Sequence, residues 1–263
     1  MLKQSSFFVA LILSLICSAS KARTLQQVLN YGELRVGVVL DSPWVIQNQS
    51  GALLGYDIDL GNKIAEDMEV NVQFHIYEPD RLIQALEVGE IDLIAAKFSI
   101  TPSRALHVNF SQPYTTNKIT LATNLTSTAI ADTLEDLNHA DYTIAAVGDN
   151  DSAALIRQIF PNSTHHIYEN QELVSAALID GAIDGYIEEE PIPTFLSLEN
   201  PTRIGVPIIE PLAQSSIGFA VAKGDADFII FLNAWITTHE SDFWLQTVHD
   251  YWFQSVRWKQ LLH

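Results

Sequence analysis

Apolar residues recur along this chain in short blocks whose period changes from two to nearly four and back. Leu34 to Leu40 (LRVGVVL) is a β-branched run ending on the turn residues Asp41, Ser42 and Pro43, which predicts a strand. Behind Asp57, which stands where a helix cap would, Leu60, Ile64 and Met68 recur at helical spacing, and Val70 to Tyr77 returns to the strand pattern. Pro79 to Glu87 reads as helix, Gly89 stops it, and Ile91 to Ala96 is strand. Such alternation predicts an α/β protein with mostly parallel sheets.

An internal echo sharpens this. Ala85-Leu86-x-x-Gly89-x-Ile91-Asp92 returns as Ala177-Leu178-x-x-Gly181-x-Ile183-Asp184, shifted by 92 positions. In each copy a helix ends on a glycine suited to the left-handed conformation, and an Ile-Asp pair opens the next strand. The strand-then-turn segments LRVGVVLDSP and YTIAAVGDND lie upstream of the two copies, so two similar α/β lobes are expected. Ile119–Thr123 and Ser216–Ala222 are apolar strands bracketing the second copy. If the chain leaves the first lobe near Thr116 and returns near Ala213, residues 23–116 and 214–263 form lobe 1 and 117–213 an inserted lobe 2. Two connections then make a hinge. Asp225 to Ile236 and Glu240 to Trp252 are helical by spacing and are expected to cover lobe 1.

Residues 1–22 have the form of a cleaved export signal: Lys3, the apolar run Phe7 to Ile16 broken by Ser14, and the small-residue site Ser20-Lys21-Ala22. Ser14 and Ile16 suit a lipid-modified Cys17 poorly, so cleavage is expected over anchoring. The remaining chain has no cysteine, and its 12 basic residues face 32 acidic ones, a formal charge of −20. That field repels phosphate backbones, which excludes nucleic acid as an expected partner. A soluble, periplasmic or secreted monomer without a cofactor is expected.

Ligands of open parallel sheets bind beyond the carboxyl ends of the strands. Lys97 and Glu189, also 92 apart, occupy equivalent strand ends and should both face the cleft. Thr101-Pro102-Ser103-Arg104 has the grammar of a helix start, with Thr101 as N-cap and Pro102 at the first helical position. Arg104 adds a fork suited to a carboxylate; the bland alternative is an ion pair with one of the many acids of the chain. Trp44, Tyr56 and Tyr114 follow turn signals near the expected cleft rim, and each is equally a candidate for core packing. His165-His166 lacks metal-ligand spacing, and no phosphate loop or dinucleotide fingerprint is present.

Gly32-Glu33-Leu34-Arg35-Val36-Gly37-Val38, Gly55-Tyr56-Asp57-Ile58-Asp59-Leu60, the Ala85–Asp92 motif, Ser99-Ile100-Thr101-Pro102-x-Arg104-Ala105 and Phe110-Ser111-x-Pro113-Tyr114 together resemble the family 3 extracytoplasmic solute-binding proteins. These are the polar-amino-acid-binding components of ABC importers. The resemblance implies a type II periplasmic-binding-protein-like fold, two lobes joined by a two-strand hinge, and a membrane permease as partner. It makes Arg104 the carboxylate grip, with Ser99 in the same motif, and Glu189, where the family generally has Asp, the grip on a ligand amine. Asn150, in Gly148-Asp149-Asn150-Asp151-Ser152, aligns with a hydroxyl residue that helps bind the carboxylate, and Trp44 with a position that is often aromatic. Lys97 departs from the usual Gly or Ser; it bridges to Glu189 or a nearby aspartate on closure, or binds a second ligand acid, or packs its stem and leaves its head in solvent.

Two other functions stay open at this level. Cyclohexadienyl dehydratases are similar to this fold family, but Ile192 stands where their general acid glutamate falls, so Glu188 or Glu190 would have to replace it. A ligand-sensing periplasmic protein is the other.

Overall fold

The computed structural model describes residues 22–131, 133–148, 151–208 and 210–262. The expected signal segment, through Lys21, and Asn150 lie outside the described residues. Among the described residues eleven strands form in chain order: β1 (Glu33–Val38), β2 (Ile46–Gln47), β3 (Leu53–Leu54), β4 (Asn71–Ile76), β5 (Leu93–Ile94), β6 (Val108–Asn124), β7 (Thr143–Val147), β8 (Thr164–Tyr168), β9 (Gly185–Glu189), β10 (Ile204–Gly205) and β11 (Ala213–Ala222). The main sheet runs β4-β1-β5-β11-β6-β9-β7-β8, with β10 beside β6 and β2-β3 a separate ribbon.

Within that order are two three-stranded parallel groups. β4-β1-β5 lies at one end and β9-β7-β8 at the other. Between them β6 and β11 run antiparallel, from Ala213 opposite Ile119 to Ala222 opposite Val108. At about 3.3 Å per residue the 17 residues of β6 span roughly 55 Å, enough to belong to both groups. The fold is therefore α/β, two-lobed, with the two strands as hinge. The crossings expected near Thr116 and Ala213 fall inside β6 and at the first residue of β11. The pairing of these strands shifts register on either side of Gly218, where a Cβ would lie 2.8 Å from Ile100 Cδ1 and 3.3 Å from the Ser111 carbonyl oxygen. Only glycine lets the loop after β5 approach so closely.

The echo seen in the sequence is an echo in hydrogen bonds. Gly89 and Gly181 both take φ +75°, and the amides that follow them, Glu90 and Ala182, donate back to Ala85 and Ala177 at 2.9 and 2.8 Å. The Asp92 amide donates to the Arg35 carbonyl at 2.8 Å and its carboxylate accepts from the Arg35 amide at 2.9 Å. Asp184 repeats both bonds with Thr143, at 2.9 and 2.7 Å. Each aspartate thus ties the turn after its helix to the first strand of its lobe.

Several local expectations change. The helix Tyr56–Asp67 is capped by Gly55 at φ +133° rather than by Asp57. Its first amides, of Tyr56 and Asp57, donate to the Pro43 and Trp44 carbonyls at 3.1 and 3.0 Å, so Asp57 turns inward and is fully buried. Pro79–Arg81 is a 3₁₀ turn preceding the α-helix Leu82–Glu87, and only Leu93–Ile94 of the expected strand Ile91–Ala96 is regular strand, flanked by single bonds from the Asp92 and Ala95 amides to β1. The C-terminal helices Ala226–Ser241 and Trp244–Phe253 cover lobe 1. There the indoles of Trp235 and Trp252 donate to Asp67 and Asp59 of the helix Tyr56–Asp67 at 2.8 and 2.7 Å.

Asp92 carries more than its counterpart, because the guanidinium groups of both Arg23 and Arg35 bond its fully buried carboxylate. Burial works to raise its pKa, and the two arginines outweigh burial and hold it below the ordinary carboxylate range. A lowered folded pKa gives stability that is present above the unfolded value near 3.9 and lost as pH falls through the folded value. Asp92→Asn should cost roughly 3 kcal/mol at neutral pH, as breaking a buried pair does. It should also remove part of the wild-type loss of stability in acid; denaturant melts at about pH 7 and about pH 3 check both, and a neutral-pH cost near zero would contradict the assignment.

Candidate functional site

Lys97 lies in the loop between β5 and the helix Pro102–Ala105, and its side chain bonds both lobes. Its backbone is left-handed, φ +50°, a conformation that costs a non-glycine residue of order 1 kcal/mol and persists only where the surroundings impose it. Here the Lys97 amide donates to Asp57 Oδ2 at 2.8 Å, and the other oxygen of that buried carboxylate accepts from the Tyr114 hydroxyl at 2.7 Å. The constraint points the side chain across the cleft, where Nζ donates to Asp41 Oδ2 at 3.1 Å and to Glu189 Oε2 at 2.5 Å. Asp41 follows β1 in lobe 1, and Glu189 closes β9 in lobe 2. Burial acts to lower the pKa of Lys97, but the carboxylates of Asp41 and Glu189 outweigh it and raise it, so the ammonium stays charged.

The pair stands at a cavity of about 530 Å³ whose wall includes Asp41, Trp44, Lys97, Glu188, Glu189 and Trp258. A second cavity of about 320 Å³ is lined by Glu189, Ser215 and the helix Asp151–Ile159 through Leu155 and Gln158. Glu189 is common to both. Glu188 leans back to accept from the Tyr186 hydroxyl at 3.0 Å and from the Glu189 amide at 2.9 Å, and its burial raises its pKa.

Arg104 sits on the short helix Pro102–Ala105, whose N-cap is Thr101 with its hydroxyl accepting from the Arg104 amide at 3.2 Å. The sequence grammar of this turn is realised in full. The guanidinium donates from Nη1 to the Ser99 carbonyl at 3.0 Å and lies 4.2 Å from the Phe98 ring centroid. Among the described residues it forms no ion pair, and burial lowers its pKa; the expected alternative of a neighbouring acid is not what the fold supplies. A guanidinium stacked on an aromatic ring, desolvated and without a carboxylate, is electrostatically poised for an anion. Ser99 bridges to Ile217 of β11, and its hydroxyl lies 3.5 Å from that of Ser215.

Of the residues singled out from sequence, Lys97, Glu189 and Trp44 come together, with Lys97 Nζ 6.0 Å from the Trp44 ring centroid. Arg104 and Ser99 form a neighbouring pair and line neither cavity just described. Tyr56 and Tyr114 do not stand at an open rim. They are buried with Trp44, at 1%, 5% and 2% exposure, because the rings pack on one another and on Phe253 and Phe219. Sequence reasoning missed Asp41 and Asp57 as partners of Lys97. The position of Asp41 at the carboxyl end of a parallel strand was the available signal.

A model of the family described as bacterial extracellular solute-binding proteins, family 3, matches residues 34–255. An ABC transporter glutamine-binding protein of Bacillus subtilis is 27% identical over 241 residues, 90% of this chain and 86% of that one. An L-arginine-binding protein of Pseudomonas aeruginosa is 24% identical over 230 residues, 84% and 87%. Among solved structures, an ancestral cationic amino-acid solute-binding protein, 26% identical, superposes with TM-score 0.76 over 87% of this chain and 99% of its own. The L-cystine receptor of Neisseria gonorrhoeae in its unliganded open form, 17% identical, gives TM-score 0.77 over 89% and 98%, a likeness of fold.

Burial pushes the Asp57 carboxyl up to about 7, against the bonds from Tyr114 and Lys97 that act to lower it. Between about pH 4 and 7 the folded state therefore holds a proton that the unfolded chain has released, and stability falls as pH rises through this window. From about pH 5 to about pH 8 the melting temperature of the wild type should fall further than that of Asp57→Asn in paired scans; equal changes would remove Asp57 from this role.

Proposed function

The chain belongs to the bacterial extracellular solute-binding proteins of family 3, and on that premise we propose that it closes its two lobes on a small carboxylate-bearing solute, an amino acid, for ABC-type import. The unpaired guanidinium of Arg104 carries this reading, since among the described residues it is a desolvated cation with no carboxylate of its own. Ser99 positions it, and Asn150 belongs to the same grip by the resemblance of its loop. Relatives named as arginine-, histidine- and glutamine-binding proteins support an amino acid as the ligand class.

Glu189 and Asp41 are the acceptors for a ligand amine, and Lys97 holds that place when no ligand does. An incoming ammonium exchanges for the lysine, while Trp44 at the cavity wall packs against the ligand body. The closed form is presented to a membrane permease outside the cytoplasm, after removal of residues 1–22.

A lyase is the second reading, favoured by one observation: Glu188 is a carboxyl whose burial raises its pKa beside the cavity, as a general acid requires. Turnover of prephenate that Glu188→Gln abolishes would establish it.

Amino acids screened against the purified protein should include at least one that raises its melting temperature, since a ligand of the folded state stabilises it. Arg104→Ala should weaken that ligand by about 2 kcal/mol, roughly thirtyfold, the order of a lost charge-assisted bond. Unchanged affinity in calorimetry would remove the carboxylate site from Arg104.

A further inference from the structure

A smaller cavity of about 190 Å³ lies where the two lobes and the hinge meet, with Trp44, Asn117, Lys118, Thr120, Glu190 and Phe253 in its wall. Five buried polar side-chain atoms have no hydrogen-bond partner among the described residues, and three belong to this wall: Trp44 Nε1, Asn117 Oδ1 and Glu190 Oε2. Trp44 is 2% and Asn117 9% exposed. The second oxygen of Glu190 is accounted for, since Oε1 accepts from the Thr120 hydroxyl at 2.8 Å. A polar cavity of this kind does not stay dry, and its volume far exceeds the roughly 10–15 Å³ of probe space that one water needs.

The atoms left over describe their complement. A carboxylate oxygen and an amide carbonyl oxygen both require donors, and the charge of Glu190 requires that they come on a cation. A primary ammonium has three N–H groups to give. The indole N–H of Trp44 requires an acceptor, and the exposed ammonium of Lys118 at the wall favours an oxygen bearing negative charge. His249, also in the wall, is held toward its neutral form by burial, and the Lys118 ammonium does not bond Glu190 Oε2, which has no partner among the described residues. Val206, Ile208 and Phe253 leave an apolar surface for one or two carbons between the two polar ends.

We propose that this hinge cavity is a second binding site, for a small primary ammonium compound with an oxygen on the neighbouring carbon, either an amino alcohol or an α-amino acid of the smallest size. Glu190 and the Asn117 carbonyl take the ammonium, and the Trp44 indole takes the oxygen. Trp44 and Phe253 belong to lobe-1 elements, Glu190 follows β9 of lobe 2, and Asn117 lies on β6. A molecule bound there touches both lobes and the strand between them, and so favours one angle of the hinge. Trp44 and Glu190 also line the larger cavity, and Asn117 the second, so the site adjoins the main cleft; it is set apart from the proposed carboxylate grip by using neither Arg104 nor Lys97.

Calorimetry on the purified chain with ethanolamine and with glycine, and with acetate as the amine-free control, tests this. Saturable binding of ethanolamine or glycine is expected, with none of acetate; which amine binds decides between amino alcohol and amino acid. Glu190→Gln, which keeps the side-chain shape, should weaken the bound amine at least about tenfold. Asn117→Leu, which fills the cavity, should abolish binding, and Arg104→Ala should leave it intact. Melting of the ligand-free variants near the wild-type temperature shows that they fold, and Glu190→Gln alone suffices if Asn117→Leu does not. Absence of saturable heat from both amines at millimolar concentration means that the cavity holds water only and overturns the proposal. Binding lost in Arg104→Ala and retained in Glu190→Gln places the amine in the main cleft and overturns it as well.

Discussion

One lysine ammonium, held between Asp41 of one lobe and Glu189 of the other, sets the relation between the two halves of the molecule. Its worth can be bounded. Two unit charges 4 Å apart interact by about 4 kcal/mol at an effective dielectric of 20, while fully exposed pairs are worth about 0–1 kcal/mol. The side chains of Lys97, Asp41 and Glu189 are 20%, 44% and 37% exposed, which places the latch toward the lower figure. A bias of roughly 1 kcal/mol shifts an open–closed equilibrium several-fold without locking it. That is the range in which a ligand bringing its own charges can replace the lysine.

Two other parts of the fold place the Lys97 contact. Beneath Lys97, a carboxylate buried with the Tyr114 hydroxyl grips the lysine amide and imposes the left-handed turn that sends the side chain across the cleft. Behind it, β6 and β11 pair from Val108 opposite Ala222 to Ile119 opposite Ala213 and pass from one parallel group to the other, so these two strands connect the lobes. Gly218 marks the interruption in that ladder, where the loop carrying Ser99 comes against β11. A two-strand connection and a weak ionic contact across the cleft are the elements the proposed closure would use.

Much of this was legible from local pattern. The 92-residue echo predicted two lobes, and the pairing of Asp92 with Arg35 and of Asp184 with Thr143 is what the repeated Ile-Asp encodes. Thr101 and Pro102 announced a helix start that exists as written. The same spacing placed Lys97 opposite Glu189, and the two do meet. What was not legible depends on partners distant in sequence. Asp57 behind a glycine has the local signature of a cap, and its partners as a buried acceptor, the Lys97 amide and the Tyr114 hydroxyl, lie 40 and 57 residues on. Trp44, Tyr56 and Tyr114 each follow a turn, yet Phe253 of the C-terminal helix covers the first two and Phe219 of β11 stacks on the third. The strand expected over Ile91–Ala96 shrinks to two residues because the chain must leave the sheet to form the latch loop.

If Lys97 holds the lobes together when no ligand does, its removal should let them part. Spin labels at two exposed sites, Leu106→Cys in lobe 1 and Leu173→Cys in lobe 2, report the distance between lobes by pulsed electron resonance on the chain from Arg23 onward. With Lys97 intact the ligand-free protein should give a distribution dominated by the closed distance, and Lys97→Met should move it to longer distances. A Lys97→Met distribution that superposes on that of the parent would contradict the account.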